Sequence, residues 1–389
     1  MAKPASGVTL RRRVLPWLAV GLAALVLAAA PARGQHTQDG LTYFYLEKDT
    51  SRIVDSLRDM AKEGALDAGP QEAPVASFFS EVFRASPQQA VGWIKAAQLD
   101  AERRKPLIKA LWLAGLEEAA VKLARQDGWP QADIEKLHKP PPDRYSFRIS
   151  DPSHMDMMWA AFMATGDSRY VLRVIDVLDY PVAPGEAGTP ALMLRGSARW
   201  SLASNAFQHE LVLRACRDDA VRRSGPAREI LLGVLEEVPH KAQSFPARDG
   251  AFSALLFVTD DLEFRSRWAA LPIADAPEVS PVSRLPRGRE AEVELVITGM
   301  GLDPNLNADV VWDLTVLRPD GTAYAEFKDM PALRGRRPTR YMVTLSEAAV
   351  RITFDPPDPA GVYTVRAVAR DRVDNRRVEL SVPLELPAQ

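Results

Sequence analysis

The sequence predicts a multidomain α + β chain: an all-α domain of stacked helical hairpins, solenoid-like in layout, followed by an all-β sandwich. Three observations carry this. Apolar residues recur at helical spacing from Leu41 to about Leu271. Pro272, Pro277, Pro281 and Pro286 then interrupt the pattern. After them the apolar period falls to two, and short strands alternate with turn signals to the C-terminus. With 389 residues, 47% hydrophobic and 26% charged, the chain has room and material for two cores. The expected boundaries are 1–34 for an export signal, 35–271 for the helical domain, 272–286 for a proline-rich linker and 287–389 for the sandwich.

The first stretch has the layout of a signal peptide. Arg11, Arg12 and Arg13 precede an apolar run from Val14 to Ala30, and small residues follow, with cleavage sites at Ala32-Arg33-Gly34 or Ala28-Ala29-Ala30. A run of 17 residues is at the lower edge of what spans a bilayer, so a cleaved signal is expected rather than a retained anchor. Residues 1–34 hold five basic residues and no acidic one. Without them 44 basic residues face 51 acidic ones, a net charge near −7, which argues against a nucleic-acid partner. Cys216 is the only cysteine, so no internal disulfide is possible, and its apolar surroundings make it a buried small hydrophobe.

In the helical half, Thr50 or Ser51 is placed to cap a helix through Ile53, Val54, Leu57 and Met60. Gly69-Pro70 and Pro74 break the chain. Phe78, Phe79, Val82 and Phe83 restart it on one helix face. Ser86-Pro87 is a second start, with Ser as cap and Pro at the first helical position. Three segments echo one another. Gly115 divides Ala110–Ala114 from a helix at 116–123. Gly166 divides Ala160–Thr165 from a helix capped by Asp167 or Ser168. Ser204-Asn205 marks a turn within 198–216. Pro140, Pro141 and Pro142 form an extended connector, and Pro181 to Pro190 a surface loop.

In the second half, Val293, Leu295 and Ile297 alternate with polar residues, and Trp312, Leu314 and Val316 share one strand face. Arg318-Pro319-Asp320-Gly321-Thr322 reads as a hairpin turn. Further strands run through Tyr341–Leu345, Val350–Phe354, Tyr363–Arg370 and Val378–Leu384. About seven short strands in roughly 100 residues is the size of an immunoglobulin-like sandwich. Tyr363, just after the turn at Pro359 and Gly361, resembles the tyrosine corner of such domains, and Trp312 is placed as the core tryptophan. Val365 stands where antibody domains carry a cysteine.

No catalytic, cofactor-binding or metal-ligating set emerges. His209-Glu210 lacks a second histidine at position 213, where Leu213 stands, so it is expected as a polar pair on a helix surface. His154 and Asp156 are two apart and do not share a helix face; capping by Asp151 and first-turn charge explain the local acids. Asp303, Asn305, Asn307 and Asp309 place oxygens at alternate positions, as a calcium loop would. Ala308 and Leu314 occupy the glycine and glutamate positions of that loop, which favours a plain turn. Glu236-Glu237 and Asp260-Asp261 have no catalytic spacing. Arg334 to Arg337 is a basic run that could meet an acidic partner or an anionic envelope polymer.

Tyr43-Phe44-Tyr45-Leu46-Glu47-Lys48-Asp49, Trp159 to Val171 and Trp312 to Gly321 together resemble a group of uncharacterised exported, periplasmic proteins of Gram-negative bacteria. That resemblance implies a compartment and an architecture, not an activity. The expectation is a non-enzymatic periplasmic interaction protein without cofactors. Its helical stack would bind a protein partner of the cell envelope, with the sandwich as spacer or second binding module. Membrane contact is expected only if the signal is retained as an anchor. The alternatives are an enzyme with an unrecognised site in the helical domain, and a carbohydrate- or envelope-polymer-binding protein. The last needs exposed aromatics on the sandwich.

Overall fold

The computed structural model describes residues 40–181, 190–271 and 275–388. The expected signal peptide and nearly all of the 181–190 loop lie outside the described residues. The chain is mixed α + β and divides into two compact units between Val238 and Pro239.

The first unit is helical: α1 (Phe44–Glu47), α2 (Ile53–Lys62), α3 (Glu72–Ala85), α4 (Pro87–Ala96), α5 (Ala101–Leu113), α6 (Glu117–Gln126), α7 (Gln131–Leu137), α8 (Pro152–Thr165), α9 (Ser168–Asp176), α10 (Pro190–Gln208), α11 (Glu210–Arg222) and α12 (Gly225–Lys241). α3 packs against α5 and α8, and every residue from Pro74 to Phe83 is buried. A helix apolar on all sides belongs in the middle of a layer. Its two core serines are satisfied: Ser77 Oγ donates to Met157 O at 2.7 Å and Ser80 Oγ to Ser77 O at 2.6 Å. Pro74 does not break this helix. It lies in the first turn, where a missing N–H costs nothing.

Two expected hairpins are present. Gly115 (φ 83°) joins α5 to α6 and Gly166 (φ 73°) joins α8 to α9, both in the left-handed region. The Gly166 N–H donates to Phe162 O, and Asp167 caps α9 by accepting from the Arg169 N–H at 2.9 Å. The third turn falls at His209, not at Ser204-Asn205. Asn205 Nδ2 bonds back to Ser201 O at 2.9 Å, so it stays within α10 instead of ending it. Neither Thr50 nor Ser51 caps α2, since the Asp49 carboxylate folds the preceding turn by accepting from the Ser51 N–H. Ser86 precedes α4 as expected but makes no side-chain cap bond.

The second unit holds two antiparallel sheets. One has the order β1 (Ala247–Asp249), β2 (Phe252–Thr259), β3 (Glu290–Thr298), β6 (Thr344–Leu345), with β7 (Val350–Thr353) also paired to β3. The other has the order β5 (Ala323–Arg336), β4 (Asn307–Leu317), β8 (Gly361–Asp371), β9 (Arg376–Leu386). One core joins them and includes Phe252, Val293, Trp312, Phe354, Tyr363 and Leu384. Tyr363 is fully buried and its hydroxyl donates to Pro359 O at 3.1 Å, the corner bond the sequence suggested. The outer face of the first sheet carries a smaller core of Phe257, Val279 and Val296 with Phe264 of α13 (Phe264–Ala269).

Two expected boundaries are corrected. The span 35–271 is not helical throughout, because β1 and β2 lie in it and β2 pairs with β3 from Ser253↔Thr298 to Thr259↔Glu292. β2 is buried on both faces, so it shows no period of two, and periodicity alone cannot separate such a run from a buried helix. The described part of 272–286 is not a free linker either. Val282 N–H donates to Val258 O, Leu285 N–H to Glu385 O and Glu385 N–H to Ser283 O, so this segment is part of the sheet unit. Gly299 (φ 73°) closes the end of β3. A Cβ there would lie 1.8 Å from Ala251 O, so the β1–β2 turn seats only against glycine.

Candidate functional site

The described residues offer two groupings, one apolar and exposed, one polar and buried. The first is a face of α10. This helix has no acidic residue and buries Leu194, Ala198, Leu202, Ala203, Ala206 and Phe207. Of the nine large apolar side chains exposed among the described residues, three stand on it: Leu192 (42% exposed), Met193 (64%) and Trp200 (50%). Positions 193 and 200 are seven apart and share one helix face, with Gly196 open to solvent between them. Arg199 ties α10 to α12 through Glu237 at 2.9 Å. Exposed tryptophan beside methionine is a composition enriched in binding surfaces.

The second grouping converges on Glu81 of α3. Glu81 Oε1 accepts from the Tyr170 hydroxyl at 2.6 Å and from Arg84 Nη1 at 2.6 Å, and it lies 3.0 Å from Arg144 Nη1. Arg84 Nη1 also reaches Oε2 at 2.7 Å. Arg84 and Arg144 both donate to Leu113 O at the end of α5. Tyr145 stacks on Tyr170 and lies beneath the Arg169 guanidinium. Burial holds the Arg144 pKa below the ordinary guanidinium value. Burial and then the bond to Glu81 push the Tyr170 phenol above its ordinary range. A phenol so held is a permanent donor, and the Glu81 carboxylate is engaged by Tyr170, Arg84 and Arg144 together. The cluster fastens α3, α5, α9 and the connector after Pro142, which is a structural task.

The residues singled out by sequence do not assemble into one site. His209 and Glu210 are not on a surface, as expected, but fully buried. The His209 ring sits among Tyr43, Tyr45 and Phe162, its Nδ1 3.1 Å from the Tyr45 hydroxyl. Burial lowers its pKa to about 3, so it is neutral. Glu210 lies 3.5 Å from Arg214 and 4.0 Å from Arg217. The partner that draws His209 inward is 164 residues away, beyond the reach of local patterning. Asp151 caps α8 by accepting from the Ser153 N–H at 2.7 Å, and His154 Nδ1 accepts from the Ser150 N–H at 3.3 Å. Asp156, on the helix beyond the cap, is half-buried and its carboxyl is pushed up to about 6, by burial and then by Asp151.

Asp303 uses its oxygens within its own loop. Oδ1 accepts from the Asn305 and Asn307 N–H groups at 2.8 Å each, and Oδ2 from Asn307 Nδ2 at 3.0 Å. Asp309 faces Arg334 and Arg372 at 3.8 and 3.9 Å. This is turn geometry, and among the described residues no cluster of three or more His, Cys, Asp or Glu could hold a metal ion. The basic run is engaged as well: Arg336 Nε donates to Asn305 O and Arg337 approaches Glu347 at 3.9 Å. Cys216 is buried and its thiol is raised to about 12, chiefly by burial. Trp312 and Tyr363 are both fully buried. Sequence reading missed the α10 face, although the absence of acids and the seven-residue spacing of Met193 and Trp200 were available signals.

No family model and no curated protein matches the chain. Among solved structures, the CARDB domain of a Pyrococcus furiosus protein in complex with di-metal ions aligns at TM-score 0.20 and 10% identity, covering 37% of this chain and 93% of that one. A Niemann-Pick type C2 protein from the Japanese carpenter ant aligns at 0.22 and 13%, covering 38% and 98%. The alkylpurine DNA glycosylase AlkC of Pseudomonas fluorescens, bound to DNA containing an abasic site analogue, aligns at 0.22 and 12%, covering 92% and 93%. At such scores these likenesses assign neither fold nor function.

Proposed function

We propose that this chain is a non-enzymatic interaction protein of the cell envelope, exported to the periplasm, whose helical hairpin stack engages a protein partner through the outer face of α10. The observation that carries the reading is the pair Met193 and Trp200, both at least half exposed on one face of a helix without acidic residues. Keeping such apolar area in water forgoes about 25 cal/mol per Å² that burial against a partner would supply. The Glu81 cluster argues the same way, since its titratable groups are spent on one another rather than aimed into a cleft. Arg11–Arg13 and the apolar run after them support export. The sheet unit fits an immunoglobulin-like sandwich serving as spacer or second binding module, supported by its single core, the buried Trp312 and the Tyr363 corner bond.

The test is parallel affinity capture from cell envelopes with the wild-type chain and a Met193→Ser/Trp200→Ser variant, both verified as folded by circular dichroism. A protein retained by the wild type and lost with the variant supports the reading. Identical captures by the two chains contradict it.

A further inference from the structure

The outer face of β3 buries two acids side by side. Glu292 and Glu294 are two residues apart on one strand, so both point to the same face, with Cβ atoms about 7 Å apart. Both are buried among Phe257, Thr259 and the covering helix α13. Each has one oxygen in an ion pair. Glu294 Oε2 accepts from Arg265 Nη1 of α13 at 2.6 Å, and Glu292 Oε1 accepts from Arg351 Nη2 of β7 at 3.1 Å. Each also has one oxygen that is buried and without a hydrogen-bond partner: Oε1 of Glu294 and Oε2 of Glu292. β2 brings no ionisable group to this face; Arg265, Arg351 and the two acids meet there, with the exposed Glu290 at the strand's start facing Arg351 at 3.6 Å.

A buried carboxylate oxygen without a donor is costly, and two on neighbouring side chains are more so. A proton on Glu294 lowers that cost, because it removes one of two neighbouring buried negative charges. Among the described residues no group of three or more His, Cys, Asp or Glu is placed to hold a metal ion here. We propose that Glu294, buried beside Glu292 with its Oε1 unpartnered, is a neutral carboxyl in the folded sheet unit and that its proton is a stability device of that unit.

Burial, opposed by Arg265, raises the Glu294 carboxyl to about 7, and the Glu292 charge adds to the rise. The folded unit therefore keeps the proton through the window from about 4.5 to about 7, while the unfolded chain has released it. Glu294 then contributes stability below that window that is lost as pH rises through it. The device works independently of any partner on α10.

The test is the infrared band of protonated carboxyls in the full chain, titrated from pH 5 to 8. The wild type should show a component with a midpoint near 7 that Glu294→Gln abolishes. In Glu292→Gln the remaining Glu294 should titrate at a lower pH, because the neighbouring negative charge is gone. A band at pH 6 unchanged by Glu294→Gln overturns the proposal, as does a midpoint indifferent to Glu292→Gln. If Glu294→Gln fails to fold, the Glu292→Gln midpoint decides alone.

Discussion

α3 and α10 are helices of one unit built on opposite rules. α3 is buried from Pro74 to Phe83, and its few polar atoms are all bonded within the protein. α10 buries one face and exposes methionine and tryptophan on the other. Packing explains α3 completely: its apolar side chains meet α5 and α8, and its buried acid, Glu81, meets two arginines and a tyrosine. Packing explains only half of α10. The lesson is that apolar residues spent outside a fold, where they stabilise nothing, point to function more directly than titratable residues saturated inside it.

The comparison implies a ranked set of effects. Phe79→Ala empties a fully buried site on α3 between Phe78 and Phe83, and should cost on the order of 3–5 kcal/mol in denaturant unfolding. Glu81→Ala should cost about 3 kcal/mol. It leaves the Arg144 guanidinium buried without its counter-charge, while the more exposed Arg84 can turn to solvent. A cost near zero would show that the cluster does not fasten the hairpins. Tyr170→Phe removes one donor and leaves both arginines on Glu81, so about 1–2 kcal/mol is expected by the same measurement. Trp200→Ser on α10 should change stability by no more than about 0.5 kcal/mol. If it destabilises as much as Phe79→Ala, the contrast between the two helices fails.

Much of the helical unit is legible locally. Gly115 and Gly166 announce their hairpins because left-handed backbone favours glycine, and Asp151 and Asp167 announce helix starts because their carboxylates answer free N–H groups. Tyr363 was legible for a similar reason, since turn, ring and bond partner lie within five residues. β2 was not, because burial on both faces erases its alternation and its pairing partner β3 lies beyond the prolines. His209 was not, because its surroundings come from residues 43, 45 and 162. The placement of β2 also has a consequence for dissection. A fragment of 282–389 lacks the strand that covers one edge of β3 and should not unfold cooperatively, whereas one beginning near residue 243 should. Thermal unfolding of the two fragments decides between them, and a cooperative transition in the shorter one would show that β2 is dispensable.

If the outer face of α10 serves a partner and not the fold, removing its exposed side chains should separate binding from stability. The most direct measurement compares the wild type and Met193→Ser/Trp200→Ser for unfolding free energy and for binding to the envelope protein that the wild type retains. Stability should stay unchanged within about 0.5 kcal/mol, and affinity should fall at least tenfold, the effect of about 1.4 kcal/mol of lost contact. Unchanged affinity, or a stability loss large enough to account for the lost binding, would contradict that role for α10.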